Sequence, residues 1–232
     1  MKVALLGDVH GNHLALAAVL NAARKHDVER LLLTGDLVGY YYWPREVLGL
    51  LETWDTEIVR GNHEEMLAEA RKKPAFLEKA VRRYGSGLRV AIETLSPEQL
   101  EWLETLPHPK DLVIDGRKIL LCHGSPWDLD QYIYPDEKEA VLAECAKSGH
   151  DWVVLGHTHH PMNRTCGATT IVNPGSVGQP RNRRPEAHWA LLDTRTGQVE
   201  QFSEMYDATL AIQQARQRDP HIPYLWNVLS RK

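Results

Sequence analysis

Five polar turns carry side chains that together could hold metal ions: Gly7-Asp8-Val9-His10, Gly35-Asp36, Gly61-Asn62-His63-Glu64, His123-Gly124 and Gly156-His157-Thr158-His159. One Asp or His in such a place is more often a helix cap or a surface residue. The weight lies in the conjunction. Residues two apart in extended chain point the same way, so Asp8 and His10 can face one ion and His157 and His159 can line one pocket. The set Asp8, His10, Asp36, Asn62, His123, His157 and His159 mixes imidazole, carboxylate and amide oxygen. That mixture suits Mn, Fe, Zn, Co or Ni better than Mg or Ca, which favour oxygen shells. Seven side chains exceed what one ion with an open position needs and suit two ions about 3.5–4 Å apart, bridged by a carboxylate and a hydroxide.

Such a pair lowers the pKa of bridging water toward ~7 and neutralises charge on phosphoryl oxygens. The expected reaction is hydrolysis of a phosphate ester by the bridging hydroxide. His63 adjoins a ligand without being one, and the ordinary histidine pKa of ~6.5 suits a general acid for the leaving alkoxide. Glu64 is a candidate for orienting it. Gly7, Gly35, Gly61 and Gly156 are expected to relieve crowding where backbone bends toward the metals.

The elements that must position these turns are legible in outline. Val3–Leu6, Arg30–Thr34, Glu57–Arg60 and Trp152–Leu155 read as short buried strands, each running into one of the turns. Helical spacing follows Leu14, and Pro44 opens a second helix. This alternation implies βαβ units and a mostly parallel sheet. From about Glu64 to Leu106 the chain reads as helices, with Ser96-Pro97-Glu98-Gln99 as an N-cap. That stretch is either a plain helical layer or a small cap over the site. Leu112–Leu121 is a hairpin turning on Asp115-Gly116. A helix over Asp136–Lys147, a strand at Thr170–Val172, a final hairpin over His188–Leu192 and Val199–Phe202, and a helical tail from about Met205 complete the chain. One domain, 1–232, is expected, with two sheets packed face to face and helices outside.

With 43% hydrophobic and 25% charged residues, the 232-residue chain has the composition of a soluble globular domain. A net charge of −4 gives no electrostatic footprint for nucleic acid or an anionic membrane. The cysteines, Cys122, Cys145 and Cys166, are odd in number and lack C-x-x-C spacing. A reducing cytoplasm is therefore the expectation. Cys122 is expected to face away from His123 as a small strand residue, and His13 simply to begin the first helix.

These motifs resemble the calcineurin-like metallophosphoesterase superfamily. All five blocks stand in that family's order, and Asn173-Pro174-Gly175-Ser176 extends the likeness to its small bacterial and archaeal phosphodiesterase branch. The resemblance implies a four-layer αββα sandwich, two mixed sheets flanked by helices. It implies one metal on Asp8, His10, Asp36 and His159, and another on Asp36, Asn62, His123 and His157, with Asp36 as bridge. It also implies a small or nucleotide-like phosphorylated substrate. One departure matters. Relatives that are Ser/Thr protein phosphatases carry Asp-Arg three and four residues after the bridging Asp, where the Asp supports the catalytic His and the Arg grips phosphate. Here those places are Gly39 and Tyr40. That disfavours a protein phosphatase and leaves His63 to be oriented otherwise. A phosphomonoesterase, and a metal-holding scaffold for a partner protein, are the alternatives on the same fold; retention of His63 argues against the scaffold. Arg181 and Arg183 are candidates for gripping substrate phosphate. Tyr40, Tyr41, Tyr42 and Trp43, and Trp127, Tyr132 and Tyr134, could stack on a nucleobase, worth ~1–3 kcal/mol per base, although packing against helices is favoured.

Overall fold

In the computed structural model, which describes residues 1–182 and 185–231, two five-stranded mixed sheets pack face to face. The first contains β1 (Lys2–Leu6), β2 (Arg30–Leu33), β3 (Thr56–Ile58), β9 (Ala187–Asp193) and β10 (Gln198–Glu204), in the order β10-β9-β1-β2-β3. The second contains β4 (Lys110–Ile114), β5 (Arg117–Leu121), β6 (Trp152–Val154), β7 (Met162–Cys166) and β8 (Thr169–Asn173), in the order β4-β5-β6-β8-β7. Parallel pairing joins β1, β2 and β3 in one sheet and β5, β6 and β8 in the other.

Side-chain alternation sorts the core into layers. Val3, Leu5, Leu32, Ile119, Leu121, Val154, Val172 and Leu192 meet between the sheets. Their neighbours Ala4, Leu6, Leu31 and Leu33 face the opposite way. There they pack with Leu16, Val19 and Leu20 of α1 (His13–Lys25), Val47 and Leu48 of α2 (Pro44–Leu51) and Leu67 of α3 (Asn62–Lys72). On the far side, Leu120, Val153 and Ile171 pack with Leu142 and Cys145 of α7 (Glu139–Ala146). The result is the expected αββα sandwich. Cys122 lies in this outer layer, fully buried and turned from His123 as alternation requires.

Local chemistry sets the helix starts. Asn12 accepts the Ala15 amide at the head of α1. Ser96 and Gln99 form a capping box on α6 (Pro97–Thr105). Between α3 and α6 lie α4 (Pro74–Tyr84) and α5 (Gly87–Thr94). The tail forms α8 (Thr209–Arg218) and α9 (Tyr224–Asn227), which bury Tyr41 and Tyr42. The Tyr41 hydroxyl donates to the Leu225 carbonyl at 3.0 Å, and that of Tyr42 donates to Asp219 at 2.8 Å.

The structure departs from the sequence reading in two places. β7 was not expected: only Met162 of its five residues is fully buried, so it lacks an apolar signature. The sequence left open which sheet the final hairpin joins; it pairs antiparallel with β1. Asn62 and His63 open α3 rather than precede it. Leu32→Ala would remove a fully buried side chain from between the sheets; the urea midpoint should fall by the equivalent of about 2–5 kcal/mol with an unchanged m-value.

Candidate metal centre

Every ligand candidate follows the carboxyl end of a parallel strand: Asp8 and His10 after β1, Asp36 after β2, Asn62 after β3, His123 after β5, and His157 and His159 after β6. In α/β sheets that edge is where ligands bind. The two sheets bring all seven side chains together. His10 Nε2 lies 3.1 Å from His159 Nε2, which is 3.5 Å from Asp8 Oδ1. His123 Nε2 lies 3.0 Å from Asn62 Oδ1 and 3.1 Å from His157 Nδ1. Asp36 stands between the groups, its Oδ2 3.6 Å from His10 Nε2 and 3.5 Å from His123 Nε2.

The tautomers follow from the outer contacts of each ring. His10, His123 and His159 place Nδ1 against the carbonyls of Val38, Thr34 and Gln179, at 3.2, 2.7 and 2.6 Å. His157 places Nε2 against the Asp130 carbonyl at 3.1 Å. A carbonyl only accepts, so these ring nitrogens carry the protons and the opposite nitrogens are bare lone pairs. The inward contacts therefore set acceptor against acceptor. Asp8 Oδ2 is buried with no hydrogen-bond partner among the described residues. This donor set fits a cation, and such outward hydrogen bonds are those of metal-bound histidines.

Burial is nearly complete: Asp8, His10 and His123 are 0% exposed, and Asp36 and His159 1%. Desolvation raises Asp8 to about 7 and lifts Asp36 well above the carboxylate range. Burial likewise holds His10, His123 and His159 well below ordinary histidine, and lowers His157. The imidazoles are thus neutral at pH 7, the state in which they ligate metal.

The loops are locked by groups outside the cluster. Glu64, fully buried, accepts from the backbone amides of Asp36, Leu37 and Gly61 at 2.8 Å each. It therefore fixes the Asp36 turn, not His63 as the sequence suggested. Asp36 Oδ1 accepts the His63 amide at 2.8 Å at the start of α3, leaving Oδ2 for the shared position. Asn173 donates to the Gly156 carbonyl and to Thr158, and Ser176 donates to the Asp8 carbonyl. The Asn-Pro-Gly-Ser turn thus ties the Asp8 and His157 turns together. Gly35 does have φ +92, and a Cβ there would meet the Gly61 amide at 2.4 Å. Gly7 and Gly156 serve otherwise, by making room for Thr34.

His63 is 2% exposed. Its pKa is not the ordinary ~6.5: burial, then the Arg181 charge, lower it to about 3. Its ring lies 4.7 Å from those of His10 and Tyr40 and 5.8 Å from Tyr84. Gly39 is what admits it, since a Cβ at Gly39 would stand 2.0 Å from His63 Nδ1. Arg181 reaches the same region, with Nη2 3.3 Å from the Tyr40 hydroxyl and 3.5 Å from Gln179 Oε1. Arg183, the other substrate candidate, lies outside the described residues. His13 begins α1, as expected.

Sequence reasoning missed Tyr84 and the Glu64–backbone lock. A lone Tyr in a helical run carries no signal, whereas an acid three residues after Gly61 did have the capping-box spacing.

Fold and site together define a phosphoric ester hydrolase that works with metal ions. The chain belongs to the calcineurin-like phosphoesterase superfamily, whose domain it matches over residues 1–197. It is 27% identical to an uncharacterised protein, MJ0912, of Methanocaldococcus jannaschii, with 88% of each chain covered. A metallophosphoesterase from Sphaerobacter thermophilus shares the fold with TM-score 0.81 and 27% identity, covering 100% of this chain and 98% of that one. The hypothetical protein PH1004 from Pyrococcus horikoshii OT3 superposes with TM-score 0.86 at 24% identity, over 99% and 98%.

Two outcomes follow. Metal binding at pH 6 should release protons, and affinity should rise as pH increases through about 7. The sign comes from Asp8, raised by burial to about 7 and so protonated at pH 6; burial shifts Asp36 in the same direction, whereas it lowers the imidazoles toward the neutral form. Calorimetry in buffers of different ionisation enthalpy counts the protons. Glu64→Ala would leave amides of the Asp36 turn without their acceptor, at about 1–3 kcal/mol for each buried orphan. Thermal unfolding and metal titration should show both stability and affinity reduced.

Proposed function

We propose that this protein is a two-metal phosphodiesterase acting in the cytoplasm on a small or nucleotide-like substrate. The observation that carries this reading is the convergence of unprotonated nitrogens and carboxylate oxygens into two groups that share Asp36 Oδ2. One ion would sit on Asp8, His10, Asp36 and His159, the other on Asp36, Asn62, His123 and His157. When bound, two such ions supply an acidified water and neutralise the phosphoryl oxygens; Mn, Fe, Zn, Co and Ni all suit the donors.

The chain's own groups do the rest. Arg181 offers a guanidinium beside the centre and grips the phosphoryl group. Protein phosphatases place an Arg at position 40; here Tyr40 stands there and its hydroxyl braces Arg181 instead. His63, held among Tyr40, Tyr84 and His10, gives its proton to the leaving oxygen. Its low pKa makes the substrate part of the acid, because a phosphate anion beside the ring offsets Arg181 and favours the imidazolium. The lack of a carboxylate at position 39 favours diesters with good leaving groups over phosphoproteins.

Protein loaded with Mn²⁺ should hydrolyse bis(p-nitrophenyl) phosphate. On a diester with a poor alkoxide leaving group, His63→Ala should retain its metal by elemental analysis yet lose about 10²–10⁴-fold in kcat, with a smaller loss on the p-nitrophenyl ester, whose leaving group needs no proton; equal turnover on the poor leaving group would remove His63 from the chemistry. Arg181→Ala should mainly raise KM. Inactivity of the wild type with every one of the five metals would sink the reading.

A further inference from the structure

Beside the metal centre opens a cleft of about 560 Å³ that the proposed reaction does not use. Asn62, a candidate ligand, lines its inner end, and α4 supplies Phe76, Lys79, Arg83 and Tyr84 from the helical stretch after the third motif. Tyr132 lines the cleft as well. We propose that this cleft is an anion subsite, in which Lys79 and Arg83 bind a second phosphate that the substrate carries apart from its scissile ester. The proposal rests on the phosphodiesterase reading above and narrows its substrate to a nucleotide-like ester with two separately placed phosphates.

Lys79 and Arg83 stand four residues apart on one helix, so their side chains share a face. The Arg83 guanidinium lies 5.0 Å over the ring of Tyr84, and both residues line the cleft. Neither cation has a carboxylate within ion-pair distance among the described residues. The acids on the facing wall are engaged elsewhere: Glu65 pairs with Arg60 at 3.2 Å and Glu69 with Lys73 at 3.1 Å. Asp130 stands at the metal end, where the ions of the proposed centre offset it. A phosphate seated on α4 would meet a lysine and an arginine with free donors, the pairing that charge-assisted hydrogen bonds favour.

Between the subsite and the metal centre the wall is aromatic. The Tyr132 ring lies 4.0 Å from that of His157 and is stacked 5.8 Å from Tyr134 at 14°. Tyr132 remains 45% exposed, although tyrosines of the second motif are buried. An exposed flat ring beside a metal ligand suits a base or sugar lying between two phosphates.

Two chromogenic esters separate the subsite from the metal centre: thymidine 5′-(p-nitrophenyl phosphate) and the same compound bearing a 3′-phosphate. Wild-type KM should be about tenfold or more lower for the second. Lys79→Gln/Arg83→Gln should abolish that preference while keeping kcat/KM for the first within about twofold, since both residues are exposed and outside the catalytic set. Calorimetry on metal-loaded protein gives a readout without turnover: thymidine 3′,5′-bisphosphate should bind more tightly than thymidine 5′-monophosphate, and only in the wild type. A wild type indifferent to the second phosphate, or a double variant that still prefers it, overturns the subsite. If neither ester is cleaved the phosphodiesterase reading falls, and calorimetry alone decides the subsite.

Discussion

The structure depends on unshared electron pairs being held face to face away from water. Four imidazoles give their protons outward, to the carbonyls of Val38, Thr34, Gln179 and Asp130, and so are left with bare nitrogens pointing inward. Two carboxylates share that interior. Without a cation the arrangement opposes folding twice, through desolvated acids and through acceptors in contact with acceptors. Backbone adds to the cost: Asp8, His10, Asp36, His157 and His159 all have φ between 51° and 65°. Left-handed backbone of this kind persists only where its surroundings over-determine it.

Those surroundings are the fold itself. Parallel strands end together, so five turns from distant parts of the chain reach one edge without long loops. The turns are then stitched to each other by main chain. The amides of Asp8, His10 and Gly11 donate to the carbonyls of Gly35, Asp36 and Leu37, which lays the first motif along the second. Glu64 anchors that pair to the third motif, and Asn173 and Ser176 anchor it to the fifth. The inter-sheet core and the site are one construction, since sliding either sheet would separate His123 and His157 from Asp36.

The same construction decides which features are legible in the sequence. The buried strands and the turns after them were legible because apolar runs of two to four residues, each leading into Gly-Asp, Gly-Asn or Gly-His, leave few other solutions. β7 was not, because its residues after Met162 are Asn, Arg, Thr and Cys, so the alternating exposure of this edge strand leaves no apolar pattern in the sequence. The pairing of β9 with β1 across the whole chain has no local signature. In the site, the motifs that carry the candidate ligands were legible, and the fold brings their side chains together. The role of Glu64 was not, because a carboxylate that serves backbone amides and one that orients an imidazole look alike in sequence. The low pKa of His63 escaped for a related reason: it comes from burial and from Arg181, which lies far along the chain.

Gly39 and Tyr40 show how one local change carries through the site. In a protein phosphatase those places hold the acid that supports the catalytic histidine and the arginine that grips phosphate. Here an acid at position 39 has no room, because the His63 ring already occupies the volume of its Cβ. The histidine is instead fixed by ring edges and faces, with Tyr40 touching both His63 and His10. Tyr40 also meets the guanidinium of Arg181, supplied from the other end of the domain. Its backbone must then be approached closely by Gly87 at the head of α5, where a Cβ would fall 2.7 Å from the Tyr40 amide nitrogen. The helices after the third motif are therefore not a detachable layer: they press Tyr40 and Tyr84 against His63 and form one wall of the adjoining cleft. An aromatic cage does not charge the imidazole as a neighbouring carboxylate would. It fixes the ring's position and leaves the ring's charge to whatever anion enters.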